Sequence, residues 1–187
     1  MRLRVLLLGL ILVPLVVGCM SYQVPPYSPS YEFIDGLKGK NLEKIAVSEV
    51  QPRDPNSPVN RITLRGSWLL VQDGTFATYF ESALKSDLNE IGIFDQNSTI
   101  RLDAKILKND IDVSGFSTGI GTIDVNITIR RDGKSTFDKL YSAQTTFQSS
   151  FAGAVAVPKG QNEYPVLVRT LLEKIFADPE FFNAIKK

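Results

Sequence analysis

Cys19 is the only thiol in a chain of 187 residues, and no histidine accompanies it. A thiolate can serve as nucleophile or metal ligand. A single one closes no disulfide, and without imidazole partners it builds no Cys/His metal centre. The missing histidine also removes the commonest general base and the whole Ser-His-Asp class of mechanism. Asp103, Lys105, Asp110 and Asp112 lie close together in the chain, but the solvated face of a strand accounts for them. The glycines of 115–121 fit neither a dinucleotide nor a P-loop pattern, because no helix follows them. No catalytic residue, metal ligand or cofactor is therefore expected, and the chemistry of the sequence concentrates on Cys19.

The residues before Cys19 say what that chemistry is. Arg2 and Arg4 form a short basic region, Leu6 to Val17 an almost unbroken apolar run, and Gly18 a small residue before a break. This is the layout of a secretory signal. The run is too short to span a hydrocarbon core, which takes about 20 residues, and Pro14 disfavours a stable helix. Val16-Val17-Gly18-Cys19 resembles the lipobox of bacterial lipoproteins. The resemblance implies cleavage before Cys19, a diacylglyceryl group on its sulfur, and acylation of the new amine. Two or three chains make attachment effectively permanent, where one holds only marginally. By analogy with enterobacterial sorting, Met20 in place of Asp implies the periplasmic face of the outer membrane.

Loss of residues 1–18 takes Arg2 and Arg4 from the 21 basic side chains and leaves 19 against 20 acidic ones. Such balance gives no electrostatic footprint for nucleic acid. With 43% hydrophobic residues the chain can fill one core without disulfides or metals. The expected organisation is a signal peptide (1–18), a lipidated Pro/Tyr-rich tether (19–43) and one periplasmic domain (44–187). Pro25, Pro26 and Pro29 favour extended chain over residues 20–36, which at about 3.1 Å per residue reach some 50 Å.

Within the domain, Ile45 and Val47 open a first strand, and Arg61 to Leu64 suggests a short edge strand. Phe76, Phe80, Ala83, Leu84, Leu88 and Ile91 recur at helical spacing, with Glu81, Lys85 and Asn89 on the opposite, solvent side. Asp73 or Thr75 caps this helix and Gly92 closes it. From Thr99 to Val113 the apolar phase slips from Leu102, Ala104 and Ile106 to Leu107, Ile111 and Val113, so a bulge is predicted near Ile106-Leu107. Ile123, Val125, Ile127 and Ile129 alternate with polar residues in a half-buried strand. Asp132-Gly133 is a two-residue hairpin turn, and Phe137 to Phe147 supplies the next strand. A last helix is predicted from Asn162-Glu163-Tyr164-Pro165, with Leu167, Val168, Leu171, Leu172, Ile175 and Phe176 buried. Asp178-Pro179 then caps a terminal turn. The fold class is α+β: a two-layer sandwich in the order βαβββα, with a mostly antiparallel four-stranded sheet and two main helices on one face.

Several runs carry a further likeness: Ile62 to Ser67, Tyr79-Phe80 with Ala83-Leu84, Asp132-Gly133, Phe147 to Phe151, and the closing Leu-Leu with Asp-Pro-Glu-Phe. With these the chain resembles small proteobacterial lipoproteins of the YajG type and, more distantly, transport-auxiliary lipoproteins and LptE, which brace larger envelope machines. That implies a non-enzymatic accessory protein that contacts another envelope protein or its own copies. A carrier for a lipid or glycan and a histidine-free hydrolase stay open as alternatives. Ser149 to Pro158 is uncharged and built of small residues around Phe151. Phe151, Ala152, Gly153, Ala154 and Val155 are therefore the candidate interaction residues, the alternative being a buried connector or an extra edge strand. If Cys19 is the acyl site, Cys19→Ala will accumulate as unprocessed precursor and lose labelling by a fatty-acid analogue; labelling at the wild-type level would contradict the lipobox.

Overall fold

The computed structural model describes residues 21–72 and 74–187. The expected signal segment (1–18), Cys19, Met20 and the alternative cap Asp73 lie outside the described residues. In chain order the elements are β1 (Ser21–Gln23), α1 (Tyr31–Asp35), β2 (Ala46–Val47), a 3-10 turn (Pro58–Asn60), β3 (Ile62–Leu64), β4 (Ser67–Leu70), α2 (Phe76–Ile91), β5 (Ile100–Asp112), β6 (Thr118–Arg131), β7 (Lys134–Gln148), α3 (Gly153–Ala177) and α4 (Pro179–Ala184).

The main sheet has the order β2-β5-β6-β7. Its long strands are antiparallel neighbours, and β2 runs parallel to β5. One face is apolar because β6 alternates strictly: Ile123, Val125, Ile127 and Ile129 are fully buried. α3 lies across β5, β6 and β7 and packs beside α2, giving the expected two-layer α+β arrangement. The predicted slip in β5 is a bulge: Ile106 faces Val125 and Lys108 faces Asp124, so Leu107 has no partner. Leu107 points to solvent, and the new inward phase is Asn109, Ile111 and Val113.

Helix termini follow the sequence chemistry. Thr75 caps α2 by accepting from the Thr78 amide, while the Thr78 hydroxyl accepts from the Thr75 amide. Gly92 ends the helix at φ 86°. Asp178 accepts from the Glu180 amide at the start of α4. Asp132 and Gly133 both take positive φ, 49° and 77°, as the tight turn between β6 and β7 requires.

Three expectations need correction. The last helix starts at Gly153, nine residues before Asn162. Prolines at 158 and 165 suggested a boundary, but Ala156, Val157, Gly160 and Tyr164 continue the buried stripe of Leu167, Val168 and Leu171. Tertiary burial of that stripe carries the helix through both prolines. At Gly160 a Cβ would stand 2.6 Å from Val113 Cγ1, so α3 approaches β5 as closely as it does only because glycine is there.

Second, the sheet is not the whole of the β-structure: the short edge strand expected at 61–64 is present as β3, but it is half of a hairpin over residues 62–70. β3 pairs antiparallel with β4 around the two-residue turn Arg65-Gly66, with φ of 50° and 81°. β1 adds to β4 in parallel, making a second sheet of order β1-β4-β3.

Third, residues 21–43 do not stand off as an extended tether. Val24, Ile34, Leu37 and Leu42 are buried. The Val24 amide donates to Leu70 O, the Tyr79 hydroxyl to Pro25 O, and Arg169 to Ser28 O. Proline favours extended chain, but extended chain can still be bound as a strap when its alternate side chains find apolar cover.

Glu81 also departs from its expected solvent role. It accepts from the Val50 amide at 3.1 Å, from Arg53, and from Lys85 at 2.7 Å. It therefore ties α2 to the segment after β2. Leu171→Ala is expected to cost about 2–5 kcal/mol through transfer and cavity terms. Glu81→Ala should cost about 1–3 kcal/mol by orphaning the Val50 amide and Arg53, and Lys85→Ala under about 1 kcal/mol. Denaturant midpoints rank the three, and a Glu81 variant as mild as the Lys85 variant would refute the bridging role.

Candidate functional site: an apolar end held by one arginine

Three turns meet at one end of the molecule: the Arg65-Gly66 turn, the 113–117 loop between β5 and β6, and the 149–152 segment leading into α3. The strand registers bring the last two together, since Thr118 pairs with Gln148 and the Ser149 amide donates to Ser117 O. Arg65 fixes the first to the other two. Its Nε and Nη2 donate to Val113 O at 3.1 and 3.0 Å, Nη2 also to Ser150 O at 3.0 Å, and Nη1 to Phe151 O at 2.5 Å. A planar fork of donors suits such multiple acceptance, where a lysine would act as a single point. The same contacts over-determine the backbone and hold Arg65, a non-glycine residue, at positive φ.

The clamp presents two aromatic rings to solvent. Phe116 is 78% exposed and Phe151 71% exposed, the highest values for large apolar side chains among the described residues. Their centroids are 5.5 Å apart, and the Arg65 guanidinium carbon lies 6.0 Å from the Phe151 ring centre. Of the residues singled out from sequence, Phe151, Ala152 and Ala154 are exposed, Gly153 is half-buried, and Val155 is 44% exposed. Ala156 and Val157 turn into the core. The segment is thus neither a buried connector nor an edge strand: it is a loop and the first exposed turn of a helix.

Phe116 and Arg65 were not singled out from sequence. A lone phenylalanine between Gly115 and Ser117 was the available signal for the first. An X-Gly pair between the apolar Ile62/Leu64 and Trp68/Leu69/Leu70 runs was the signal for the second.

Elsewhere the described residues offer grooves. One of about 480 Å³, lined by Phe33, Leu37, Lys40, Phe176, Phe182 and Lys186, opens at the far end of the molecule. Another of about 240 Å³ lies between the strap and α2, with Val24, Tyr27 and Tyr79 among its walls. Asp103 pairs with Arg130 at 2.6 Å, and Asp110 and Asp112 are exposed, so the acidic cluster of β5 sits on an open strand face. No cluster of three potential metal-ligating side chains occurs among the described residues, and no described helix is long and apolar enough to cross a membrane.

One carboxyl is strongly perturbed. Burial pushes Asp87 up to about 7, helped by Glu173 and Glu90 and opposed by the Tyr27 hydroxyl and Arg169. The hydroxyl donates to its two oxygens at 3.0 and 2.9 Å, and burial with the Asp87 charge raises the Tyr27 hydroxyl in turn. A buried carboxyl of raised pKa is a common mark of catalysis; here its contacts lie along the strap, which it fastens.

Comparison with solved structures places the fold. A Xanthomonas campestris protein of DUF330 superposes with a TM-score of 0.55 at 13% identity, covering 84% of this chain and 95% of its own. A minor lipoprotein from Acinetobacter baumannii gives 0.46 at 15% identity, over 79% and 97% of the two chains. The first likeness is one of fold. No family model matches the chain, and no curated protein does.

The Asp87 clamp has a pH signature. The folded chain keeps this proton up to about pH 7, while an unfolded aspartate releases it near 3.9. Between those values the folded state binds more protons. The Asp87 contribution to stability is full below about pH 4 and is lost as pH rises through about 7. Asp87→Asn should therefore show a smaller fall in melting temperature than the parent between about pH 5 and 8. Parallel pH profiles for the two proteins would contradict the assignment.

Proposed function

We propose that the chain is a non-enzymatic, lipid-anchored accessory protein of the bacterial envelope. In this reading acyl chains on Cys19 hold it at the periplasmic face of the outer membrane. It works by contact, through the apolar end that carries Phe151, Ala152, Gly153, Ala154 and Val155. The observation that carries the reading is the exposed Phe116–Phe151 pair, held rigid by hydrogen bonds from Arg65 to three carbonyls. Exposed aromatic surface is costly to leave in water, and maintaining it on an ordered scaffold points to a contact surface. The likeness to YajG-type and transport-auxiliary lipoproteins agrees with an accessory role. A carrier would hold its cargo between helices and sheet, but there Ile123, Ile127, Leu167 and Leu171 fill the space, all fully buried. A hydrolase working through a carboxylate pair would need facing carboxylates, and the buried carboxyl Asp87 is engaged by Tyr27.

A mature chain carrying Cys19→Ser has no acyl group and no other thiol, so Ala154→Cys gives one reactive thiol for a fluorophore. At low concentration, without lipid or detergent, the label should be open to an aqueous quencher. Adding envelope extract should shield it, and Phe151→Asp should abolish that shielding while the circular dichroism spectrum is unchanged. A label already shielded in the dilute, isolated chain would refute a contact surface at this end.

A further inference from the structure

The apolar end is also the end at which the chain departs toward its anchor. Ser21 pairs with Trp68 in the parallel β1–β4 ladder, and Trp68 lies one residue beyond the Ser67–Leu64 pair that closes the Arg65-Gly66 turn. β1 therefore begins beside the residue that clamps the two phenylalanine-bearing loops. Only two residue steps separate Ser21 from Cys19, a reach of about 7 Å at full extension. Because the strap is bound from Ser21 onward, no longer spacer intervenes. We propose that the occupant of the apolar end is the bilayer that receives the acyl chains of Cys19. Phe116 and Phe151 insert as a wedge at the boundary between headgroups and acyl chains, and the domain stands on the membrane on this tip. The proposal rests on the acylation and contact surface argued above and names what that surface touches.

Composition fits this occupant. No charged residue occurs from Val113 to Ile123, or from Leu140 to Pro158. These runs include both phenylalanine-bearing loops. The nearby Asp112 lies at the rim and accepts from the Ser114 amide. Polar backbone is the usual obstacle to placing a loop in an apolar medium, because unsatisfied carbonyls and amides are costly there. At this tip Arg65 serves the carbonyls of Val113, Ser150 and Phe151. Ser117 O accepts from the Ser149 amide, and the Ala152 amide donates to the Ser150 hydroxyl.

Size points the same way. Two phenylalanines supply at most about 250 Å² each, short of the roughly 800 Å² per partner of a standard protein interface. A covalently anchored wedge needs far less area, because the anchor makes its insertion an intramolecular event.

The test uses the mature, acylated chain in vesicles of phosphatidylethanolamine and phosphatidylglycerol containing nitroxide-labelled phosphatidylcholine. An environment-sensitive fluorophore is attached at Ala154→Cys or, in a second sample, at Lys134→Cys in the opposite hairpin. The proposal expects a blue shift and quenching by the nitroxide lipid at 154 and neither at 134. Replacing both Phe116 and Phe151 by Ser should abolish the effect at 154 while the protein still floats with the vesicles. Flotation without quenching at 154 overturns the proposal and leaves the anchor intact. Failure to float removes the anchor itself and the proposal with it. Shielding at 154 that grows with protein concentration without lipid assigns the tip to a second copy. Shielding by envelope proteins but not by vesicles assigns it to a protein partner. Either of these outcomes also overturns the proposal.

Discussion

Everything in this fold depends on covering one face of a sheet with a single long helix. The face is built by the β6 isoleucines and valine, fully buried, and its cover is the stripe that runs from Ala156 to Phe176 along α3. A sheet with one apolar face is not stable alone, so the helix is obligatory. Its length is dictated by the strands beneath it, which run to 13, 14 and 15 residues. The demand is strong enough to carry the helix through two prolines and to require the glycine at 160, where α3 meets Val113 and Ile111.

That constraint has a local consequence. Because α3 must start at the end of β7, its first turn projects past the sheet, and Ala154 and Val155 have nothing beneath them. The 149–152 segment and the 113–117 loop overhang in the same way. A single guanidinium spanning three carbonyls turns this overhang into an ordered surface. The strain at Arg65 is local, and its effect is to fix the geometry of two loops it does not belong to.

Much of the fold was legible because its cues are periodic and local. The alternation of Ile123 to Ile129, the capping threonine and closing glycine of α2, the Asp132-Gly133 turn and the phase slip in β5 each follow from a few neighbouring residues. The parts that were not legible rest on long-range partners. Nothing in residues 21–43 says that Leu70, Tyr79, Asp87 and Arg169 wait to bind them, and proline correctly signals extended chain without saying whether it is free. β3 was legible as an edge strand, but β4 beside it is too short for periodicity to register, and the start of α3 was hidden behind prolines that would end a less buried helix. The candidate site was half legible: the uncharged run around Phe151 is conspicuous in composition, whereas Phe116 and Arg65 acquire meaning only when the topology sets them beside it.

The parallel pairing of β1 has a mechanical side. A load applied through the N-terminus pulls β1 along its own axis, past β4, so the ladder is loaded in shear. The β1 ladder, the Val24–Leu70 bond and the side-chain fastenings of Pro25, Tyr27 and Ser28 then share the force instead of parting one at a time. An antiparallel hairpin pulled open from its free end would unzip bond by bond. A short strand of three residues can thus act as a grip that resists being drawn out of the body, and this edge of the second sheet is mechanically stronger than its length suggests.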